Sequence, residues 1–365
     1  MITGDRSLAA GKRGAFYNTL EEFYRYWERI DIICPRVKNQ EIKEVFGNVY
    51  IHSSSWPLLF QAKFVFRKGR ELFKKTGFDL ITVHEYPPFY NGIGARLLWN
   101  KIKVPYVLEI MHIPGFPKSA NFKERLYKNL MRWFIKFDSQ KAKKVRVINQ
   151  KQTPEFLVSS GVKKDKIIYM PAFYIDLDIF HPRDEEKKYD IVFAARLEKN
   201  KGIFELLKAI SSVKVFNPKI RLLIIGSGPL KNELTKYVEQ NGLVENVFFS
   251  GWLSTFDDVA RAYSSARIFV NPSYNEGGPR VVLEAMACGL PVITTRVGLM
   301  PDIIQDGLNG LFVDWAAYDM AEKINSLLKD KDSQDKFSKA GLELVKQFEK
   351  KEAIKNNAEK LQALI

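Results

Sequence analysis

"NEGGPRVVLEAMACGLPVITT", residues 275–295, sets two carboxylates, Glu276 and Glu284, around two glycines and a proline where an apolar run begins. Proline, with its fixed φ, suits a first helical turn, so the spacing predicts a helix from Pro279 to about Cys288. "ARIFVNP" (266–272) before it and "PVITT" (291–295) after it read as strands. Strand, loop, helix and strand is the unit from which parallel sheets are built. The plain reading of the acids is an amphipathic helix with Glu284 on its solvated side. The alternative is a ligand site, because Gly277 and Gly278 leave backbone N–H groups at a helix start, where oxygens are attracted.

The same alternation runs outward in both directions. Strands are expected at "DIIC" (31–34), "NVYIH" (48–52), "DLITVH" (79–84), "VPYVLEIM" (104–111) and "KVRVI" (144–148) in the first half. The second half adds "YDIVFAA" (189–195), "IRLLIIG" (220–226), "NVFFSG" (246–251) and "GLFV" (310–313). Helical patterns lie between them, for example over 57–75 and 121–137, and continue beyond residue 315. The polar stretch "HPRDEEKKYD" (181–190) breaks the alternation and reads as a linker. The expected architecture is two doubly wound α/β domains with a cleft between them, since 365 residues at 46% hydrophobic suffice for two cores.

Cys34 and Cys288 make no disulfide framework and no C-x-x-C pair, which fits a reducing compartment and excludes a structural zinc site. No run approaches a membrane span, and "MITGDRSLAAGKRG" lacks the apolar core of a signal peptide, so a cytoplasmic protein is expected. The net charge of +15 divides into +14 over residues 1–180 and +1 over the rest. The basic half calls for an anionic partner: nucleic acid, an acidic membrane or an acidic small molecule.

Ligands of such sheets sit where strands end and loops lead into helices. Arg196 follows one strand and Lys201 opens the next helix; a guanidinium fork and a mobile ammonium both suit a diphosphate. "IIGSGP" (224–229) is a strand running into a glycine turn, which serves equally as a tight connection or a phosphate approach. In "SYNEGGPR" (273–280), a loop expected to be flexible, Glu276 precedes the helix, while Glu284 leans back toward its start. Two carboxylates would repel a bare phosphate, so they suit neutral hydroxyls. Ribose, diphosphate and hexose in a row, the form of a nucleotide sugar, match that order.

With these residues in hand, the stretch 275–295 resembles the E-x7-E motif of the retaining glycosyltransferases of family 4, which have the GT-B fold of two Rossmann-like domains facing a cleft. "ARLEKNKG" is similar to the family's phosphate segment, "LLIIGSGPLKNEL" to its next strand-turn-helix, "NVFFSGWL" to its base-side loop and "KIIYMPAFYIDLDIF" to its interdomain segment. The resemblance implies an acceptor-binding domain over 1–180, a donor domain over 181–348, and a C-terminal helix over 349–365 that packs back on the first. It implies that Glu276 contacts the transferred sugar, Glu284 the ribose, and Arg196 with Lys201 the diphosphate. Gly226, Gly251, Gly277, Gly278, Pro279, Arg280 and Val281 would face the donor. "YVLEIMHIPG" makes His112 the candidate histidine of the sugar site. In "GKRGAF", Gly14 fits the second glycine of the family's phosphate loop and Arg13 replaces the first, with almost no strand ahead of it.

The expected reaction is therefore retaining hexosyl transfer from a UDP- or GDP-linked sugar to a glycan or lipid-linked acceptor, in polysaccharide or glycolipid synthesis. No cofactor and no metal are expected, because the cations neutralise the leaving diphosphate; "DLD" (176–178) is read as a linker feature. A sugar-nucleotide epimerase, an inactive nucleotide-sugar-binding module and a nucleic-acid-binding protein are the rivals, the last without any recognition motif. Finally, Arg125, Lys128, Arg132 and Lys136 form one stripe on the predicted helix 121–140, with Leu126, Leu130, Trp133 and Phe137 beside it. That pattern suits a peripheral position on the inner face of the plasma membrane, or else an apolar face packed on the sheet with solvated cations.

Overall fold

A computed structural model describes residues 1–38 and 42–365. The chain forms two compact units. The first comprises Met1–Ile113, Leu126–Ala172 and Lys351–Ile365; the second comprises Pro114–Arg125 and Phe173–Lys350. The polar stretch 181–190 is thus not the crossover between them but part of the second unit. There Arg183 Nη1 pairs with Asp257 at 2.7 Å and the Lys187 ammonium donates to the carbonyls of Ser264 and Ala266. Its charges have partners, which is why composition alone mistook it for a linker.

In the first unit the strands are β1 (Ile30–Cys34), β2 (Glu44–Val45), β3 (Val49–Ser53), β4 (Ile81–His84), β5 (Tyr106–Ile110), β6 (Lys144–Val147) and β7 (Ile167–Tyr169). One sheet runs β1-β3-β2 and another β4-β5-β6-β7, all parallel except β2. Ile2 bridges both sheets, parallel to Ile33 and to Val83. Residues 1–3 are held between the two sheets by that bridge: the Ile2 N–H donates to Thr82 O at 2.8 Å and the Thr3 N–H to Ile33 O at 3.0 Å. β2, with two residues, and β7, with three, are too short to read as strands in isolation.

The second unit has β8 (Tyr189–Ala194), β9 (Leu222–Ile225), β10 (Val247–Gly251), β11 (Ala266–Asn271), β12 (Val292–Thr294) and β13 (Leu311–Phe312). They form one parallel sheet in the order β10-β9-β8-β11-β12-β13. Its strands are continuous apolar runs because helices cover both faces; Ile191, Phe193, Leu222, Ile224, Ile268 and Val270 are each at most 1% exposed. Leu206, Leu207 and Ile210 of the helix Ile203–Phe216 pack on this core, as do Met320 and Ile324 of the helix Ala317–Lys329.

Candidate active site

β8 lies at the centre of the second sheet. The chain builds outward from it to β9 and β10, then returns to place β11 on its other side. The loops leaving β8 and β11 diverge in opposite directions, and a crevice opens between them at the carboxyl ends of the strands. Arg196 and Lys201 come from the first loop; Glu276, Gly277, Gly278 and Pro279 come from the second. Gly226 and Gly251 end β9 and β10 beside them, the Gly226 N–H donating to Gly251 O at 2.8 Å.

Lys201 and Glu276 meet across this crevice. The ammonium donates to Glu276 Oε1, although the two residues are far apart in sequence. Their side chains keep 18% and 16% of their exposure, so the pair is shielded yet reachable. Gly202 permits the geometry. Its φ is +66°, and a Cβ there would stand 2.1 Å from Pro272 O. The loop after β11 is buried and hydrogen-bonded rather than flexible. Ser273 O accepts from Thr295 Oγ1 at 2.6 Å and from Trp315 Nε1 at 2.9 Å, and Tyr274 N–H donates to Asn200 O at 2.8 Å. Ser273 Oγ lies 3.0 Å from Glu276 Oε1, close enough to hold that carboxylate in place. At Gly278 a Cβ would fall 1.8 Å from Phe173 Cζ, so only glycine lets the ring close over the loop.

The helix Arg280–Ala287 follows, with Pro279 as its N-cap rather than inside its first turn. Glu284 is not on a solvated side: it is 6% exposed. Arg280 Nε donates to its Oε1 at 3.1 Å, and Tyr263 OH to its Oε2 at 3.4 Å. Burial pushes the Glu284 carboxyl up, while the Arg280 guanidinium and the Tyr263 hydroxyl draw it back. Arg280 also lies 5.6 Å from the Tyr174 ring centroid. A buried carboxylate with one hydroxyl and one cation as neighbours is held as an acceptor, which suits it to a ligand's hydroxyls. Val281 is half-buried next to Arg280.

Arg196 does not join the Lys201–Glu276 pair. It is exposed and pairs with Glu198, Nη1 to Oε1, at 3.2 Å. His112 and Gly14 belong to the first unit. His112 follows β5 and stacks on Tyr86 with ring centroids 6.4 Å apart. Gly14 is the N-cap of the helix Ala15–Phe23. Asp176 of the D-x-D spelling pairs with Lys350 at 3.6 Å. A cavity of about 590 Å³ in the first unit, bounded by residues such as Trp27, Asp31 and Leu361, includes none of the expected site residues.

Three groups that periodicity could not reveal complete the site. Asn275 is fully buried, and its Nδ2 donates to Lys118 O and to Glu124 Oε2, both at 2.9 Å. Lys118 N–H donates to Tyr274 O at 3.2 Å, and its ammonium lies 4.8 Å from the Tyr274 ring centroid and 4.9 Å from that of Trp315. Segment 114–125, which follows His112 in the chain, is thereby fastened to the loop that carries Glu276. Tyr263 completes the Glu284 pocket from the helix Phe256–Ser264. The only trace in the sequence was the Glu-flanking asparagine.

Comparison with known proteins bears on the fold. Residues 175–344 match the model of the family described as glycosyl transferases group 1. The sulfoquinovosyl transferase SQD2 of Arabidopsis thaliana is 26% identical over 356 residues, covering 92% of this chain and 68% of that protein. Sucrose-phosphate synthase from Thermosynechococcus elongatus superposes with a TM-score of 0.82 at 20% identity, covering 100% of this chain and 98% of that one. Anabaena HepE, solved in complex with UDP-glucose, gives a TM-score of 0.76 at 17% identity over 100% of this chain and 98% of its own. The fold shared with these enzymes is GT-B. The segment that carries the Lys201–Glu276 pair lies within residues 175–344, the part of the chain that is similar to the glycosyl transferases group 1.

Proposed function

We propose that this glycosyltransferase is a retaining enzyme of family 4 that moves a hexose from a nucleotide-diphosphate sugar to a glycan or lipid-linked acceptor without a metal. The observation that carries the reading is the shielded Lys201–Glu276 pair at the switch point of the second sheet. A donor entering this crevice gives each partner a replacement: the diphosphate accepts from the Lys201 ammonium, and a sugar hydroxyl donates to the freed Glu276. Glu284, buried beside Arg280, accepts from the ribose hydroxyls. As the bond between sugar and diphosphate breaks, negative charge grows on the leaving phosphate. Lys201 and the exposed Arg196 stabilise that charge, and this is the largest catalytic term available to these residues. The acceptor hydroxyl attacks from the face the diphosphate leaves, giving up its proton to the departing phosphate. HepE, whose structure holds UDP-glucose, supports a nucleotide-sugar donor of the UDP or GDP type.

Thermal shift against a panel of UDP- and GDP-sugars tests the donor, since a ligand that binds only the folded state raises its stability. The anomeric configuration of the product, read by NMR, tests retention. Activity that survives a chelator supports metal independence; loss of activity restored by manganese overturns it. Donor consumption with no acceptor present would give the site to an epimerase instead.

A further inference from the structure

The helix Phe122–Ser139 has two apolar faces, and the protein covers one of them. Met131 and Ile135 are fully buried, and Phe134 stacks on Phe89 with centroids 4.4 Å apart. Leu126, Leu130, Trp133 and Phe137 fall within an arc of about 60°, roughly 150° round the helix from Met131 and Ile135. They are not core. Trp133 is 81% exposed, and Leu126, Leu130 and Phe137 are between 38% and 47% exposed. The stripe continues to Phe122, at 77% exposed, and Leu97 of the neighbouring helix Tyr90–Ile102 is also exposed. Between the buried and the bare faces run Arg125, Lys128, Arg132 and Lys136. None of the four is in an ion pair among the described residues, and only Lys128, nearest the buried face, is half covered.

Large apolar side chains grouped on one exposed face mark an interaction surface. We propose that it docks the protein on an anionic lipid bilayer. Leu126, Leu130, Trp133 and Phe137 would sit at the acyl boundary, with Arg125, Arg132 and Lys136 among the lipid phosphates. The chemistry matches on both counts: a tryptophan-centred stripe suits the boundary region, and a cationic flank on a half of the chain carrying +14 suits anionic headgroups. A second copy of the chain is the poorer partner, because pairing this face with itself would oppose two rows of like charge. The inference goes beyond the transfer reaction proposed above and does not depend on it.

Co-sedimentation with vesicles of phosphatidylcholine alone, and of phosphatidylcholine mixed with phosphatidylglycerol, tests it on the full chain. Binding is expected only with the anionic vesicles and weakens with added salt. At about fivefold per basic side chain, converting Arg125, Lys128, Arg132 and Lys136 together to glutamine lowers partitioning by nearly three orders of magnitude. Leu130→Ser with Trp133→Ser lowers it as well and abolishes the blue shift of tryptophan emission on vesicle addition. The changed residues are exposed, apart from the half-covered Lys128, and lie outside the Lys201–Glu276 site, so melting temperature and binding of nucleotide sugar in solution should match the parent. Equal sedimentation with neutral and anionic vesicles overturns the proposal. So does an absence of lipid binding together with a dimer that Leu130→Ser/Trp133→Ser dissolves, which would assign the face to a second copy.

Discussion

Two regions of the protein bury carboxylates, and they treat them differently. In the second unit Glu276 has Lys201 and Glu284 has Arg280, with Ser273 and Tyr263 adding hydroxyls. In the first unit Glu85 and Asp138, at 1% and 0% exposure, have no hydrogen-bond partner on any carboxylate oxygen among the described residues. A Cβ on Gly92 would come within 2.3 Å of Glu85 Oε2 and 2.4 Å of Asp138 Oδ2, so the two acids face the same point. Gly92 N–H favours ionised Glu85 weakly without reaching hydrogen-bonding geometry, and Arg96 favours ionised Asp138 while spending its own donors on Phe137 O and Gln140. Burial wins: Glu85 is pushed well above the usual carboxylate range, and Asp138 up to about 7. The comparison separates two uses of a buried acid. In the second unit each carboxylate has a hydrogen-bonded cation that opposes the cost of its burial, whereas the first-unit pair has none and holds protons instead.

Breaking the cation side of the comparison has the largest expected effect. Lys201→Ala leaves Glu276 without its ion pair and the departing diphosphate without its nearest charge. Turnover should fall about a thousandfold, on the order of 4 kcal/mol in the transition state. Initial rates at saturating donor check this; a change below tenfold would move the diphosphate contact elsewhere, to Arg196 first.

The first-unit pair makes a prediction of opposite sign. Because the folded state binds these protons more tightly than the unfolded chain, stability falls as pH rises from about 4, the unfolded carboxylate value, to the folded value of Asp138 at about 7. Asp138→Asn cannot ionise and gives Glu85 a donor. It should therefore be more stable than the parent above pH 7, by ~3 kcal/mol, and should lose about half of the fall in that window, the rest remaining with Glu85, whose own burial holds its proton. Denaturant unfolding at a series of pH values reads this. Parallel curves for parent and variant would show that the pair is hydrated and ordinary.

Arg280→Ala sharpens the contrast by turning Glu284 into an acid of the first-unit kind. With the guanidinium gone, the carboxyl should rise further and stability should drop by about 2 kcal/mol, less than for a fully enclosed pair because Arg280 is partly exposed. Nucleotide affinity, followed by calorimetry, should fall with it. Glu276→Gln should instead spare free-nucleotide binding and lower turnover. Equal loss of nucleotide affinity in these two variants would merge the roles assigned to the two acids.

The smallest effect is expected at Asn275, which touches neither acid directly. Asn275→Ala removes two hydrogen bonds that fasten segment 114–125 to the Glu276 loop. A stability loss of ~1 kcal/mol is expected from such contacts. A positioning role further predicts that kcat falls severalfold while nucleotide affinity holds; a loss of stability alone would make the residue purely structural.

Most strands were legible because a doubly covered parallel sheet writes continuous apolar runs, and the helix after Pro279 was legible from its proline and glycines. The pairing of acids with cations was not. Lys201 and Glu276 meet only because β8 and β11 are neighbours, and strand order is a property of the sheet rather than of any segment. The helix Phe122–Ser139 shows the same limit: its periodicity specified both a basic and an apolar stripe, but not which apolar residues the sheet would claim. Met131 and Ile135 go inward and Trp133 stays out. By itself, then, the sequence determined most element types, the two-unit α/β class and the loop and helix start around Glu276, since these follow from local spacing and backbone chemistry. Only the tertiary structure decided that Glu284 is buried, that Asn275 secures a segment from the other half of the chain, and that Glu85 and Asp138 share one enclosed point. Each of these depends on which distant groups exclude water from the residue, and desolvation is set by the neighbours that packing brings, not by the neighbours in the chain.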